Sequence, residues 1–423
     1  MFDEFFAVNY QQRDSPPALF RELVASISRV VNLVEYKDTN HSLRVAVMSL
    51  RLARAAGVTD AHNLTQVYFA GLLHDIGEVG VPDTLLYKKG RLSETEYQLL
   101  TTHARIGQQI VEQVPLLKDA ASIILWHHER WDGSGYPEGL TAEEAPLLAQ
   151  VVSLCDALDS IRQGGLFSSP AEWRDELHSF AGIQFNPYLV PHAIEAVEQG
   201  HFEELTLRAE EDELITGVEK QEQVYTQLQE NYIPMLVNFL TTLMEAKHKE
   251  SAAHSRRVAR LARKLGERMG LSLLDLETLE IAGYLHDSGK MGIPNSILSK
   301  RGPLDDWEFE IVKKHPEYSA SILDPLSGFA EVASAVRHHH EHYDGTGYPD
   351  GLAGEEIPQL SRILLLADTA DALAYALESA ALSEGGRAGE RRLGDGLGGY
   401  FDPQLWAYAE QVGLKLPGGG GEA

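Results

Sequence analysis

The sequence predicts an all-α protein, two helical bundles in tandem joined by a long helical linker. Three observations carry that expectation. One ordered set of histidines and aspartates occurs twice: His74 and His286 stand 212 positions apart, as do His103 and His315, His127 and His339, His128 and His340, and Asp156 and Asp368. A repeat on that scale is a duplicated domain rather than a solenoid turn. Apolar residues recur at three-to-four spacing in both halves, while the two-residue alternation of strands is scarce.

In chain order, "MFDEFFAVNYQQRDSPP" has acidic residues where a signal peptide has basic ones. "HSLRVAVMSLRLARAAG" reads as an amphipathic helix from His41, closed by Gly57 at C′. Ser93-x-x-Glu96 forms a capping box that opens a further helix. The first bundle is expected over 17–203 and a linker over 204–235. Val218, Tyr225, Leu228, Tyr232, Met235 and Phe239 fall near a heptad seam, with Pro234 expected to kink or restart the helix. A helix docked on its own bundles and a coil that makes a homodimer both fit that seam. The second bundle is expected over 236–415, starting its own version with "HSRRVARLARKLGERMG" from His254. "QFNPYLV" near Phe185 answers "YFDPQLW" near Phe401, and the closing "PGGGGEA" reads as a flexible tail.

Composition narrows the class. A chain of 423 residues has room for two or three domains, and 43% hydrophobic with 23% charged residues is ordinary for a globular protein. No apolar run approaches the roughly 20 residues that cross a bilayer, so no membrane partner is expected. Cys155 is the only cysteine, which excludes an internal disulfide and points to a reducing, cytoplasmic home. Any metal site must therefore use histidines and carboxylates. A net charge of −27 disfavours long nucleic acids, whose phosphates it repels. A small anionic ligand is compatible with it only where cations reverse the local sign.

The chemistry is concentrated in the repeated residues. Ten of the 17 histidines occupy matched positions, too large a share for accidental core histidines. The second set is Glu250, His254, His286, Asp287, His315, His339, His340 and Asp368; the first is His41, His74, Asp75, His103, His127, His128 and Asp156. Glu250 and His254, four apart, share a helix face. Imidazoles suit Fe, Mn, Zn or Ni, and a carboxylate can bridge two ions as one imidazole cannot. Five histidines with two or three carboxylates exceed the needs of one ion. Two or three ions are expected in the second bundle and two in the first. Such clusters clamp phosphodiesters and activate water at neutral pH.

The chain resembles the HD-GYP family, the Gly-Tyr-Pro branch of the HD-domain metal-dependent phosphohydrolases. The resemblance rests on "HDSGKMGIP", "HHHEHYDGTGYPDGL", "LADTADAL" and "FDP" in the second half. In the first half it rests on "HDIGEVGVP", "HHERWDGSGYPEGL" and "CDALD". It implies a helical bundle with an iron or manganese centre that hydrolyses cyclic di-GMP to pGpG and on to GMP, through a metal-activated hydroxide. It implies Asp287 as bridging carboxylate, Glu250 at a third metal and Lys290 on the substrate phosphate. Tyr348 and Arg362 are expected as further substrate contacts. The Gly-Tyr-Pro loops are linked in that family to GGDEF-domain partners. Asp371, three residues after Asp368, either orients a ligand or is a surface carboxylate.

Departures from the pattern matter. Glu78 stands where the second half has Lys290, Lys37 where it has an acid, and Gln150 where it has Arg362. The first bundle is therefore expected to be slow, altered or regulatory and the second to be the main hydrolase. The alternative is that Glu78 adds a ligand and the first stays active. Both halves lack the family's usual Arg-Pro-Tyr-Arg segment, which makes another cyclic dinucleotide such as cyclic GMP-AMP a rival substrate. A non-hydrolytic cyclic-dinucleotide receptor and a broader mononucleotide or guanosine tetraphosphate hydrolase are the competing readings.

Overall fold

A computed structural model describes residues 17–35, 40–163, 170–199, 213–214, 216, 222–248, 251–300, 302–381 and 399–411. The described residues form helices and short 3-10 turns without strands, apart from isolated bridges at Asp132–Thr141 and Ala181–Phe185. The all-α expectation holds. These residues fall into two compact units, one ending at Lys247 and the other beginning at His248.

In the first unit, helix His41–Ala55 buries Val45, Met48, Leu50 and Leu52 and packs along helix Ala61–Leu73. Asp60 caps the latter by accepting from the Asn63 N–H at 2.9 Å. Helices Thr102–Val111, Lys118–Trp126 and Leu147–Gln163 complete the bundle. The capping box forms as expected, with the Glu96 carboxylate accepting from Ser93 N–H at 2.7 Å. Gly57 follows its helix at φ +88°, where a side chain would be strained.

The second unit repeats this order with helices Ser251–Met269, Leu273–Leu285, His315–Leu323, Ala330–Arg337 and Gln359–Ala381. Its helix Asp306–Val312 carries the same device at the same place, an Asp305–Glu308 capping box.

The expected linker is more than a connector. Helix Glu222–Lys247 runs unbroken through Pro234 and through the expected boundary at 235. It packs on helices Pro17–Glu35 and Thr102–Val111 of the first unit. Ile233, Leu236, Phe239, Leu240, Leu243 and Met244 are buried there. Their burial offsets the ~3 kcal/mol that an interior proline costs a helix. Tyr232, Met235 and Phe239, three seam positions, are also buried inside the chain, which favours the docked helix over a dimerising coil. Val218 lies outside the described residues, as do the side chains of Tyr225 and Leu228.

Candidate metal centres

Six of the clustered histidines follow one local rule: each stands within three residues after a helix's end and bonds back to it. His74 and His286 follow helices Ala61–Leu73 and Leu273–Leu285. Each gives its Nδ1 proton to the carbonyl three residues back, Gly71 or Gly283, at 2.9 Å. His103, His127, His315 and His339 bond Leu100, Ile124, Val312 and Val336 in the same way, at 2.6–2.9 Å. This fixes the ring orientation and turns Nε2 inward.

The next residue in the chain sets an acid between the imidazoles. In the second unit, Asp287 Oδ1 lies 3.3 Å from His315 Nε2, while Oδ2 lies 3.4 Å from His286 Nε2 and 3.9 Å from His254 Nε2. In the first, Asp75 Oδ2 lies 3.2 Å from His74 Nε2, while Oδ1 faces His103 at 3.7 Å and His127 at 3.9 Å. One carboxylate thus turns its two oxygens to two different groups of imidazoles. That is the geometry a bridge between two cations needs.

A glycine two residues after each aspartate makes the arrangement possible. A Cβ on Gly289 would stand 2.1 Å from the His315 carbonyl oxygen, and one on Gly77 1.9 Å from that of His103. Any side chain there would push the two ligand-bearing segments apart.

The far wall comes from the Asp156 and Asp368 helices. Asp368 Oδ1 approaches His254 Nε2 at 3.1 Å, and Asp156 Oδ1 approaches His41 Nε2 at 3.4 Å. One turn on, Asp371 accepts from His254 Nδ1 at 2.7 Å and from Nε and Nη2 of Arg257. Asp159 does the same for His41 and Arg44 at 2.8 Å. Asp371 is therefore the orienting group, not a surface acid. Asp159 was passed over in the sequence, although it follows Asp156 by the same three residues.

Metal ions fit these residues. The Nε2 atoms of His74, His103, His127 and His286 are buried with no hydrogen-bond partner, a costly state unless a cation takes the lone pair. The ligand atoms of Asp75, His103, His127 and His128 gather within 4.8 Å of one another, as do those of His41, His74 and Asp156. His254, His286 and Asp287 gather likewise, as do His315, His339 and His340. Glu250 and Lys37, on which a third metal turned, lie outside the described residues.

Electrostatics divide each cluster into two halves. Burial disfavours charge on His254 and His74, but facing aspartates outweigh it and raise both to about 9. Asp156 and Asp159 likewise raise His41 against its burial. On the other side, burial and neighbouring imidazoles lower His127, His128 and His339. Burial and Lys290 lower His315, and burial lowers His340. The carboxylate-rich half calls for positive charge; the imidazole-rich half offers neutral donors.

The rims differ. Lys290 Nζ lies 2.6 Å from Asp287 Oδ2, beside the second cluster. Glu78 occupies the same 3-10 turn in the first unit. Arg362 is held by Asp402, and the corresponding pair in the first unit is Gln150 with Asn186 at 2.7 Å. The swap preserves a tie between two segments of each bundle, and the structure brings Arg362 to Asp402 rather than to the histidines.

The Gly-Tyr-Pro loops close over the clusters. Tyr348 stacks on His340 with ring centroids 4.9 Å apart, and Tyr136 lies 4.7 Å from His128. Each loop hangs from a buried glutamate that the sequence reading missed. Glu341 accepts backbone N–H bonds from Asp350, Gly351 and Leu352 at 2.6–3.1 Å, and Glu129 accepts from Glu138, Gly139 and Leu140 at 2.8–3.1 Å. Both stand directly after the histidine pair, in the 212 register.

Residues 18–179 and 238–384 each match the family described as "HD domain", together well over half of the chain. The chain belongs to the HD domain family. Its Gly-Tyr-Pro loops make it an HD domain protein of the HD-GYP type. The 3'3'-cGAMP-specific phosphodiesterase 3 of Vibrio cholerae is 31% identical over 276 residues, 65% of this chain and 59% of that protein. The 3'3'-cGAMP-specific phosphodiesterase 1 of the same organism is 27% identical over 84% of this chain and 83% of its own length. A cyclic di-GMP phosphodiesterase of Thermotoga maritima is 33% identical over 40% of this chain and 49% of its own. The chain thus spans about half to three fifths of the length of two of these relatives. A crystal structure of a cyclic GMP-AMP-specific phosphodiesterase from V. cholerae shares the fold, with a TM-score of 0.58 over 93% of this chain and 97% of that one at 22% identity. No described helix is long and apolar enough to cross a membrane.

Proposed function

We propose that this HD domain protein is a metal-dependent phosphodiesterase of 3'3'-linked cyclic dinucleotides. Its two domains are read as a tandem duplication, with the second as the main hydrolase. The observation that supports this most is Asp287, which turns its two oxygens to two groups of imidazoles, with the buried, unpartnered Nε2 of His286 beside it and Lys290 at its edge.

His254, His286, Asp287 and Asp368 would hold one ion, and Asp287, His315, His339 and His340 a second; His41, His74, Asp75, Asp156, His103, His127 and His128 repeat the set. Iron or manganese is the proposed metal, with zinc or nickel also matching the donors. When bound, such ions act as Lewis acids toward phosphate oxygens and lower the pKa of water. The protein's own groups do the rest. Lys290, kept protonated by Asp287 against the pull of burial, offers its ammonium to the charge that builds on the phosphoryl oxygens. Asp371 and Arg257 keep His254 in one orientation, and Glu341 keeps Tyr348 over His340. The loop tyrosines are committed to the clusters, which leaves docking of GGDEF-domain partners without support from the geometry.

Two substrates compete. Relatives named for 3'3'-cGAMP match 65% and 84% of this chain, whereas the one named above for cyclic di-GMP matches 40%. Together with the missing Arg-Pro-Tyr-Arg segment, this favours 3'3'-cGAMP ahead of cyclic di-GMP. Chromatography of products from both nucleotides, on protein purified anaerobically and analysed for metals, tests the proposal. Linear dinucleotide formed in proportion to protein and metal supports it; nucleotide bound but never cleaved supports the receptor reading instead.

A further inference from the structure

Helix Asp306–Val312 of the second unit is short, but it is firmly placed: its capping box joins Asp305 and Glu308, and Lys300 also bonds Glu308. That anchorage holds Phe309 beside Tyr348 while leaving the residue 44% exposed. Phe309 meets Tyr348 edge-on, with centroids 6.3 Å apart. Lys313, one turn later, sets Nζ 4.9 Å from the Phe309 ring centroid and 6.0 Å from that of Tyr348. Tyr348 in turn stacks on His340. A chain of aromatic contacts, stacked from His340 to Tyr348 and edge-on from Tyr348 to Phe309, therefore runs from a candidate metal ligand toward solvent, with an ammonium beside its two outer rings. Lys313 also pairs with Glu310 at 2.6 Å. Glu310 is exposed, and such a surface pair is weak enough to be exchanged for a phosphate.

A single exposed phenylalanine needs no explanation. One that extends an aromatic ladder from a phosphate-handling centre and carries a cation does. Purine rings stack on such faces, and a lysine over the same rings suits the neighbouring phosphate. We infer that Phe309 and Lys313 form a substrate-positioning subsite of the second unit, with Phe309 taking one purine base and Lys313 an adjacent phosphate oxygen. This rests on the phosphodiesterase reading for its substrate.

The first unit supplies the contrast. Tyr97 stands at the position of Phe309 and meets Tyr136 at 6.0 Å. Thr101 stands at the position of Lys313. The aromatic faces are kept but the cation is gone, just as Glu78 replaces Lys290. Both changes remove positive charge from the place where an anionic substrate enters, so the two units differ in capture as well as in chemistry.

The test is steady-state kinetics on the metal-loaded full chain with 3'3'-cGAMP and cyclic di-GMP. Phe309→Ala is expected to raise KM about ten-fold, the loss of one stacked base, with kcat and metal content within two-fold. Phe309→Tyr should restore KM, since the first unit carries tyrosine there. Lys313→Thr should raise KM several-fold and flatten its dependence on salt. An unchanged KM in Phe309→Ala, or a fall in kcat with metal loss, overturns the inference. If the wild-type chain cleaves neither nucleotide, the phosphodiesterase reading has failed. The subsite is then judged by calorimetric binding of the same nucleotides. Ten-fold weaker binding by Phe309→Ala sustains the subsite; equal binding, or none by the wild type, ends it.

Discussion

Asp371 and Asp159 show how much of a candidate metal centre lies behind the side chains that face it. Each accepts the Nδ1 proton of a histidine whose Nε2 faces a second aspartate, and each is braced by an arginine. An anionic partner at Nδ1 fixes the ring and makes Nε2 a better donor, and losing one typically costs 10–100-fold in metal affinity or activity. Asp371→Asn should therefore lower the second centre's metal occupancy after dialysis by about that factor while the helical circular dichroism stays intact. Unaltered occupancy would show that Asp371 serves packing alone. Lys290 makes the complementary prediction. Its ammonium faces the Asp287 carboxylate, and an ammonium cannot itself be a metal ligand. Lys290→Ala should cut kcat by about 10²–10³, the usual effect of deleting one such charge donor, with metal content unchanged. A kcat near that of the wild type would remove Lys290 from the chemistry.

At the scale of elements, the loops that cover the clusters depend on Glu341 and Glu129. Each carboxylate is buried and satisfies three consecutive N–H groups of its loop. Deleting it strands those donors, at about 1–3 kcal/mol each where water cannot reach them. Glu341→Ala should speed amide exchange at Asp350, Gly351 and Leu352 and raise KM as Tyr348 leaves His340. Glu129→Ala should speed exchange at Glu138, Gly139 and Leu140 with little effect on turnover. Equal losses of turnover from both would deny the division of labour between the domains. These glutamates also mark what the sequence conceals. The helices were legible because period and caps are local: Ser93 with Glu96, Gly57 at a helix end, the apolar stripe after His41. The histidines were legible through the 212 register. Glu129 and Glu341 lay in the same register, but a carboxylate that binds backbone looks no different in sequence from one on the surface. That Pro234 does not end its helix has a related reason, since the burial that outweighs a helix breaker is tertiary.

For the molecule as a whole, the clusters link metal, proton and fold. Ions that bind only the folded chain stabilise it by RT ln(1 + [M]/Kd), about 4 kcal/mol at a thousand times Kd. Chelation should therefore lower the melting temperature by several degrees, and Mn²⁺ or Fe²⁺ should restore it; a melting curve indifferent to chelator would deny the ions a place in the fold. The same linkage sets a pH dependence. His74 and His254 are raised to about 9 by the aspartates around them, despite burial. At neutral pH the metal-free chain thus carries protons on the carboxylate-rich half of each cluster. An incoming cation must displace them, because Nε2 cannot hold a proton and a metal together. The affinity should therefore rise as pH climbs toward 9 and fall as it drops below neutrality, with net proton release on binding. Titrating the metal at pH 7 in two buffers of different ionisation enthalpy reads that release directly. Equal heats in both buffers would mean that no proton leaves, and that those two imidazoles are neutral before the metal arrives.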